Sequence, residues 1–289
     1  MKLQVGVLHL PKAGATAAEY EDSFDYSVES GIVAISDGAS NNFESRSWAR
    51  LLTSAFVHHP PTEFTAHQLL DWVDSVAAEW SEAIPWQDLT VFEETKAALG
   101  SAATLVGLKF ESPALRKTEG SWQCLALGDS CLFQIARGQL VKSLPIAKSA
   151  DFDIHPPLLS TRTENSKLIT DQLVTAYGGW RAGDTFYLLT DAIAAWFLLE
   201  FEQGGSPWNI LAALDEQSFA SFVDEKRAQK LMRNDDVTVV AVNVPARSAR
   251  RRVPPGTVAD ATARSFFHRA SLAQARGTGC TTAGDSQCP

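Results

Sequence analysis

The chain has 289 residues, 45% hydrophobic and 20% charged, a composition that allows a sizeable buried core. Its charge is uneven, because residues 1–244 carry 18 basic and 32 acidic side chains whereas residues 245–289 carry seven arginines and two aspartates. An acidic body argues against nucleic acid as the main partner, since phosphate backbones bind basic surfaces, and it suits a site for divalent cations.

Targeting and redox features are absent from the sequence pattern. No apolar run reaches the length of about 18 residues that a transmembrane helix needs, and the N-terminal segment lacks the apolar region of a signal peptide. The four cysteines have no CxxC spacing, so neither a zinc site nor a disulfide framework is predicted. We therefore expect a cytoplasmic, monomeric protein without membrane contact.

The first third of the chain predicts strands followed by a pair of helices. Residues 2–10 and 24–36 are predicted strands, and the second ends in a break at Asp37-Gly38. Apolar side chains at helical spacing predict one helix from about Phe43 and another over residues 67–83.

The rest of the chain alternates runs of strands with helices. Short apolar runs separated by turn residues predict a meander of three antiparallel strands at 102–110, 122–127 and 131–136. Residues 148–180 show no period and are predicted to be irregular. The final elements are predicted to be a strand at 185–189, helices at 192–203 and 218–231, and a strand at 237–242.

This order of elements favours an α/β (α+β) fold. Paired helices separated by runs of strands argue against a parallel βαβ sheet and indicate antiparallel sheets with helices outside. Residues 1–244 are expected to form this domain. Residues 245–289, rich in Arg, Ala, Thr, Gly and Ser, are expected to be a basic, disordered tail.

Acidic residues stand at several strand ends. They are Glu21 and Asp22 before a strand, Asp37 and Asp191 after strands, and Asp235 before one. A single aspartate at such a place is usually a turn former or a helix N-cap. Read together with the short segments around them, these acids carry more information than each does alone.

Short motifs surround these acids in a fixed order. They are Glu21-Asp22, Ser36-Asp37-Gly38-Ala39-Ser40, Gly100-Ser101-Ala102-Ala103, Gly128-Asp129-Ser130, Gly183-Asp184, Thr190-Asp191-Ala192 and Asp235-Asp236-Val237-Thr238-Val239-Val240. Each motif alone is weak, but their order and spacing together resemble the metal-dependent protein phosphatases of type 2C, from about Val5 to Val244. The resemblance implies a four-layer αββα sandwich, with two mostly antiparallel sheets flanked by helix pairs.

The resemblance also implies a two-metal site. Asp37 would bridge two divalent cations, Mn²⁺ or Mg²⁺, with Glu21 and the Gly38 carbonyl completing one ion's protein ligands. Asp191 and Asp235 would hold the other ion. Asp22 would accept hydrogen bonds from water in the site, and the turn Gly128-Asp129-Ser130 would be structural.

The implied reaction is hydrolysis of phosphoserine or phosphothreonine on a protein by a metal-bridging hydroxide, without a phosphoenzyme. The phosphorylated partner would be a serine/threonine kinase or one of its targets. A catalytically silent module of the same fold, which binds a phosphoprotein or signalling partner, is the alternative. Metal binding without turnover would distinguish the two.

The sequence departs from the family pattern in its phosphate-binding residue. Many members carry an arginine four residues before the glutamate, and Ala17 stands there in this chain. Lys12 could supply a positive charge instead, or be a solvated loop lysine. The aspartates of a third metal site in many members fall at Ala97 and Ala195, so no third site of that kind is expected.

Overall fold

A computed structural model describes residues 3–40, 42–111, 119–152, 155–162 and 165–245 of the chain. The expected tail therefore lies, apart from Pro245, outside the described residues. In the described part of the chain, no helix is long and apolar enough to cross a membrane.

The described residues form strands in two main sheets and helices that cover them. The strands are β1 (Gln4–Leu10), β2 (Ser23–Ser27), β3 (Ile32–Ser36), β4 (Ala102–Ala103), β5 (Leu105–Glu111), β6 (Glu119–Leu127), β7 (Cys131–Ala136), β8 (Gln139–Leu144), β9 (Leu159–Ser160), β10 (Val174–Arg181), β11 (Thr185–Leu189) and β12 (Val237–Asn243). The helices are α1 (Ser45–His58), α2 (Ala66–Ala83), α3 (Val91–Leu99), α4 (Asn165–Gln172), α5 (Asp191–Glu202), α6 (Pro207–Ala212) and α7 (Glu216–Ala228).

The two main sheets have five strands each. The first has the order β1-β12-β11-β7-β8 and the second the order β10-β6-β5-β3-β2. All their strand pairs are antiparallel, as predicted. The short strands β4 and β9 pair separately.

Three hydrophobic layers define the sandwich. Residues of both sheets, including Val33, Val106 and Leu188, pack against each other between the sheets. The outer face of the first sheet packs against α5, α6 and α7, and that of the second against α1, α2 and α4. The predicted four-layer αββα arrangement is thus confirmed.

Strand β3 illustrates why its sequence is apolar throughout. Val33 and Ile35 face the other sheet, whereas Ile32 and Ala34 face the layer of α1 and α2. A strand covered on both faces cannot show the alternation of a half-exposed strand. Because β3 ends at Ser36, Asp37 is the first residue beyond this buried strand.

Several predicted boundaries were wrong. The region 24–36 is a hairpin, because Gly31 turns the chain with a φ of 72° between β2 and β3. The region 148–180, predicted irregular, contains β9, α4 and most of β10. Helices α3 and α6 and strand β8 were not predicted.

The β1–β12 pairing brings distant chain segments to one end of the sandwich. Leu10 lies opposite Val237 in the antiparallel register, so the loop after β1 lies beside the segment before β12. On the other side of β12, the Thr190 N–H donates to the Thr238 carbonyl at 3.2 Å, which holds the end of β11 there.

Candidate active site

The acidic positions singled out in the sequence meet at this end of the sandwich. Burial raises the pKa of Asp37 well above its usual range, and the largest charge contributions come from Asp22 and Asp191. Asp129 and Asp235 add to the same effect. Carboxylates that repel one another in this way must lie close together.

Backbone contacts fix Asp37 and Gly38 at the end of β3. The Asp37 N–H donates to Thr104 Oγ1 at 2.9 Å, and the Thr104 N–H donates to the Asp37 carbonyl at 2.9 Å. A Cβ atom at position 38 would lie 2.9 Å from the carbonyl oxygens of both Glu21 and Ser45. Glycine is therefore required here by the close approach of other backbones, which places Gly38 against Glu21.

Asp22 is buried where the two sheets meet. Its Oδ2 accepts hydrogen bonds from the hydroxyls of Thr238 at 2.6 Å and Thr190 at 3.0 Å, and the Tyr20 hydroxyl is hydrogen-bonded to that of Thr238. Its Oδ1 is buried without a partner among the described residues. Burial raises the pKa of Asp22 well above its usual range.

Asp129 and Asp191 are two further carboxyl groups with raised pKa values at this end of the sandwich. Burial, helped by the charge of Asp191, raises the pKa of Asp129 to about 7. Burial likewise raises the pKa of Asp191 to about 6, although the positive charge of Arg233 opposes the shift. We refer to Asp22, Asp37, Asp129 and Asp191 as the Asp37 group.

Glu21 has a different environment. Its Oε2 accepts hydrogen bonds from Lys12 Nζ at 3.0 Å and Ser40 Oγ at 2.5 Å, and its Oε1 accepts one from Ser45 Oγ at 2.6 Å. Burial opposes ionisation of Glu21, but these hydrogen bonds outweigh it and lower its pKa. We refer to Lys12, Glu21, Ser40 and Ser45 as the Glu21 group.

Arg233 contacts the Asp37 group from the solvent side. Its Nη2 lies 2.8 Å from Asp191 Oδ2, and its side chain is 45% exposed whereas that of Asp191 is 8% exposed. The other oxygen of Asp191 accepts the N–H of Ala192 at 2.5 Å, at the start of α5. Each group thus has one of the chain's own cations beside it, Lys12 or Arg233.

Side chains of the segment before β12 hold the loop after β1 by its backbone. The two carboxylate oxygens of Asp236 accept the N–H of Lys12 at 2.8 Å and that of Glu21 at 2.7 Å. Asn234 accepts the Ala13 N–H at 2.7 Å and donates to the Ala13 carbonyl at 3.3 Å. We call these five residues the β1–β12 clamp.

Arg227 of α7 forms further hydrogen bonds to the two chain segments that the clamp joins. Its Nη2 donates to the Pro11 carbonyl at 3.2 Å and to the Asp235 carbonyl at 2.6 Å. The side chain is 8% exposed, so these bonds are shielded from water. Arg227 therefore joins α7, the loop after β1 and the segment that carries Asp235.

The donor set fits hard divalent cations by its chemistry and its charge. Its side-chain donors are all oxygens, one of them the unpartnered Oδ1 of Asp22, and the Asp37 group carries repulsion that a cation would relieve. The placement is looser than a closed coordination shell. Among the described residues, no three His, Cys, Asp or Glu side chains are grouped tightly enough to hold an ion. The fit to a cation therefore rests on the oxygen chemistry and the mutual repulsion of the carboxylates rather than on a closed coordination shell.

All the predicted site residues that the sequence named lie at this end of the fold. Lys12, Glu21 and Gly38 are in contact or adjacent, and Asp22, Asp37, Asp191 and Asp235 are coupled through their charges. The neighbours that were not assigned to the site from sequence include Asp129, Arg233 and Asp236. Asp129 and Asp236 stood inside the quoted motifs, so the signal for them was present; Arg233 had none.

Comparisons with known proteins differ in what they find. The sequence model described as protein phosphatase 2C matches residues 15–235. Comparison with curated protein sequences finds no match.

Similar solved structures include bacterial phosphatases. The Mycobacterium tuberculosis serine/threonine phosphatase PstP/Ppp has 15% identity and a TM-score of 0.56, covering 85% of this chain and 100% of that chain. The catalytic domain of PstP in complex with two manganese ions has 17% identity and a TM-score of 0.52, covering 84% and 99%. PppA, a regulatory component of T6SS in Pseudomonas aeruginosa, has 16% identity and a TM-score of 0.51, covering 84% and 98%.

At these identities the structural likeness shows the fold alone. The family model, by contrast, spans well over half of the chain and includes all five of the predicted acidic site residues, with Asp235 at its last position. The chain therefore belongs to the protein phosphatase 2C family.

Proposed function

We propose that the protein is a metal-dependent serine/threonine protein phosphatase. The observation that carries this proposal is the convergence of Glu21, Asp37, Asp191 and Asp235 at one end of a protein phosphatase 2C fold, with Asp37 under the repulsion of its neighbours. In this proposal residues 1–244 form the catalytic unit.

The residues divide into two ligand sets that share Asp37. Glu21 and the Gly38 carbonyl would hold one Mn²⁺ or Mg²⁺, and Asp191 and Asp235 would hold the other. When bound, such an ion pair supplies a water nucleophile activated at neutral pH and offsets the charge of the phosphate. Binding would also relieve the repulsion that raises the pKa of Asp37.

Asp22 would orient water in this proposal. Thr190 and Thr238 both donate to its Oδ2, which fixes the carboxylate. Its Oδ1, unpartnered among the described residues, remains to accept a hydrogen bond from a water molecule in the site. Asp22 would thus hold and orient a water molecule in the site through its Oδ1.

Lys12 would contact the substrate phosphate. The β1–β12 clamp fixes its backbone, and its Nζ lies 3.0 Å from Glu21 Oε2 and 3.2 Å from Ser40 Oγ. Its side chain is 29% exposed, so the ammonium group can be reached from solvent. From the family we infer that the substrate is phosphoserine or phosphothreonine on a protein. A partner kinase would have phosphorylated that protein.

The test is hydrolysis of p-nitrophenyl phosphate and of a phosphothreonine peptide with Mn²⁺, with EDTA, and with the Asp37→Asn protein. We expect turnover that needs Mn²⁺ and falls more than about 100-fold in the variant, because loss of a shared ligand should exceed the 10–100-fold cost of losing an outer partner.

The control is Asp171→Asn, which removes an exposed carboxylate of α4 and should leave the rate unchanged. An Asp37→Asn protein that keeps most of its rate would contradict the two-metal assignment.

One observation favours the alternative of a silent module. Lys12 and Arg233 already occupy Glu21 and Asp191, so the chain neutralises two of its predicted ligands by itself. A folded protein that binds Mn²⁺ in calorimetric titration but hydrolyses neither substrate would support that alternative.

A further inference from the structure

The site lacks a guanidinium at the position where many family members have one. Ala17 lies exposed in the loop after β1 and carries no charge. A phosphate monoester brings up to two negative charges and three acceptor oxygens toward a cluster of carboxylates. Cations on the solvent side of that cluster are needed to attract it.

Arg233 has the accessibility that such a role requires. The ion pair with Asp191 is made by Nη2, and 45% exposure leaves much of the side chain open to solvent. A guanidinium has five N–H donors in a fixed fork that matches two phosphate oxygens. One contact with Asp191 therefore orients the fork and leaves donors for a second acceptor.

The backbone at position 233 is held on both sides. Met232 is buried in the core beneath α5 and α7, and Asn234 belongs to the β1–β12 clamp through both atoms of its amide. Because its neighbours are fixed, Arg233 loses little backbone freedom when it binds a ligand, which favours affinity.

We propose that Arg233 binds the phosphate group of the substrate and, with Lys12, supplies the positive charge that Ala17 cannot. Lys12 stands beside Glu21 and Arg233 beside Asp191, so the two cations flank the two predicted ligand sets. This inference rests on the proposed phosphatase function. Arg233 is distinct from Lys12 in offering a planar fork rather than a point charge.

The experiment measures phosphate binding directly, without turnover. Inorganic phosphate is titrated calorimetrically into the Mn²⁺-loaded protein, and Mn²⁺ is titrated separately into the metal-free protein. Arg233→Gln keeps the length and polarity of the side chain but removes the charge. The matched control is Arg181→Gln, which alters an exposed arginine paired with Glu119 at the end of β10.

We expect Arg233→Gln to weaken phosphate binding about tenfold or more, as loss of a charge-assisted hydrogen bond does, and Arg181→Gln to leave it unchanged. Mn²⁺ should bind Arg233→Gln as tightly as the unmodified protein, or more tightly, because a competing cation has left Asp191. Arg233→Lys should fall between, with a loss of about threefold, since it keeps the charge without the fork.

Unchanged phosphate affinity in Arg233→Gln and Arg233→Lys, with altered Mn²⁺ affinity, would overturn the inference and make Arg233 only the counter-ion of Asp191. Thermal unfolding of each variant shows whether it is folded. If Arg233→Gln does not fold, the phosphate affinity of Arg233→Lys tests the inference instead. An unmodified protein that binds Mn²⁺ but no phosphate would overturn this inference alone. One that binds neither would overturn the proposed function as well.

Discussion

Glu21 and Asp37 lie at the same end of the sandwich, yet their surroundings shift their pKa in opposite directions. Glu21 accepts hydrogen bonds from two hydroxyls and an ammonium group, which lower its pKa. Burial and four other carboxylates raise the pKa of Asp37. The carboxylate of Glu21 is thus stabilised by hydrogen bonds within the protein, whereas that of Asp37 is destabilised by neighbouring negative charges.

This difference shows where a bound cation would contribute most. In the Glu21 group it must compete with Lys12, Ser40 and Ser45 for oxygens that are already hydrogen-bonded. In the Asp37 group it would replace repulsion by attraction, so binding and stability are coupled there. The following predictions use stability to separate the two groups.

The largest effect is expected from pH in the metal-free protein. A carboxyl group whose pKa is raised on folding binds its proton more tightly when folded, so stability falls as pH rises through the window between the two values. For Asp129 that window runs from 3.8 to about 7 and for Asp191 from 3.8 to about 6. We expect the unfolding temperature in EDTA to fall by roughly 5 °C or more from pH 5 to pH 8.

Glu21 predicts the opposite slope in a separate range. Its pKa is lowered on folding, so its stabilisation is present above the ordinary value of 4.5 and is lost only at more acidic pH. Calorimetry across pH 3–8 with and without Mn²⁺ checks both slopes. An unfolding temperature that rises between pH 5 and pH 8 in EDTA would contradict the charge distribution described for the Asp37 group.

Asp129→Asn should give the next largest effect. The substitution keeps the shape of the buried side chain and removes a charge that its neighbours oppose. We expect the metal-free protein at pH 7 to gain on the order of 2 kcal/mol in the free energy of unfolding. Denaturant titration measures the gain, with Asp171→Asn on the surface of α4 as the control. Loss of stability in Asp129→Asn would mean that the carboxylate has a favourable partner.

Ser45→Ala should have the smallest effect, with the opposite sign. Ser45 is buried and its hydroxyl donates to Glu21 Oε1 at 2.6 Å, so its removal leaves that oxygen poorly satisfied. We expect a loss of about 1 kcal/mol in the free energy of unfolding at pH 7. Ser75→Ala, which removes an exposed hydroxyl of α2 bonded to the Trp72 carbonyl, should change little. Equal losses in both variants would show that Glu21 does not depend on Ser45.

The sequence predicted the layers and the acidic positions because both depend on local patterns. Apolar runs that end in an acidic residue could be read directly at Asp37 and Asp191. The segment 148–180 was misread because β10 contains Gly178-Gly179, a pair typical of loops. A Cβ atom at Gly178 would lie 2.7 Å from the ring of Trp122, so packing across strands, which no local pattern shows, requires glycine there.

Helix α3 shows a local signal that was overlooked. Thr90 and Glu93 form a capping box at its start, with the Glu93 carboxylate accepting the Thr90 N–H at 2.8 Å. Arg233 and the β1–β12 clamp are a different case, because their partners are distant along the chain. The clamp residues meet through the register that sets Leu10 opposite Val237, and Arg233 meets Asp191 through the pairing of β11 with β12.

That register also determines when the site can exist. The contacts of Asp236 with Lys12 and Glu21 span 224 and 215 positions of the chain, and the contact of Thr238 with Asp22 spans 216. All seven described helices and eleven of the twelve described strands precede the segment at 234–238, so they would leave the ribosome before it during synthesis. Until then β1 would lack its pairing with β12, and the loop that carries Lys12 and Glu21 would lack its contacts with Asp236. The proposed active site would thus be completed in one late step, and a chain truncated before β12 would lack it.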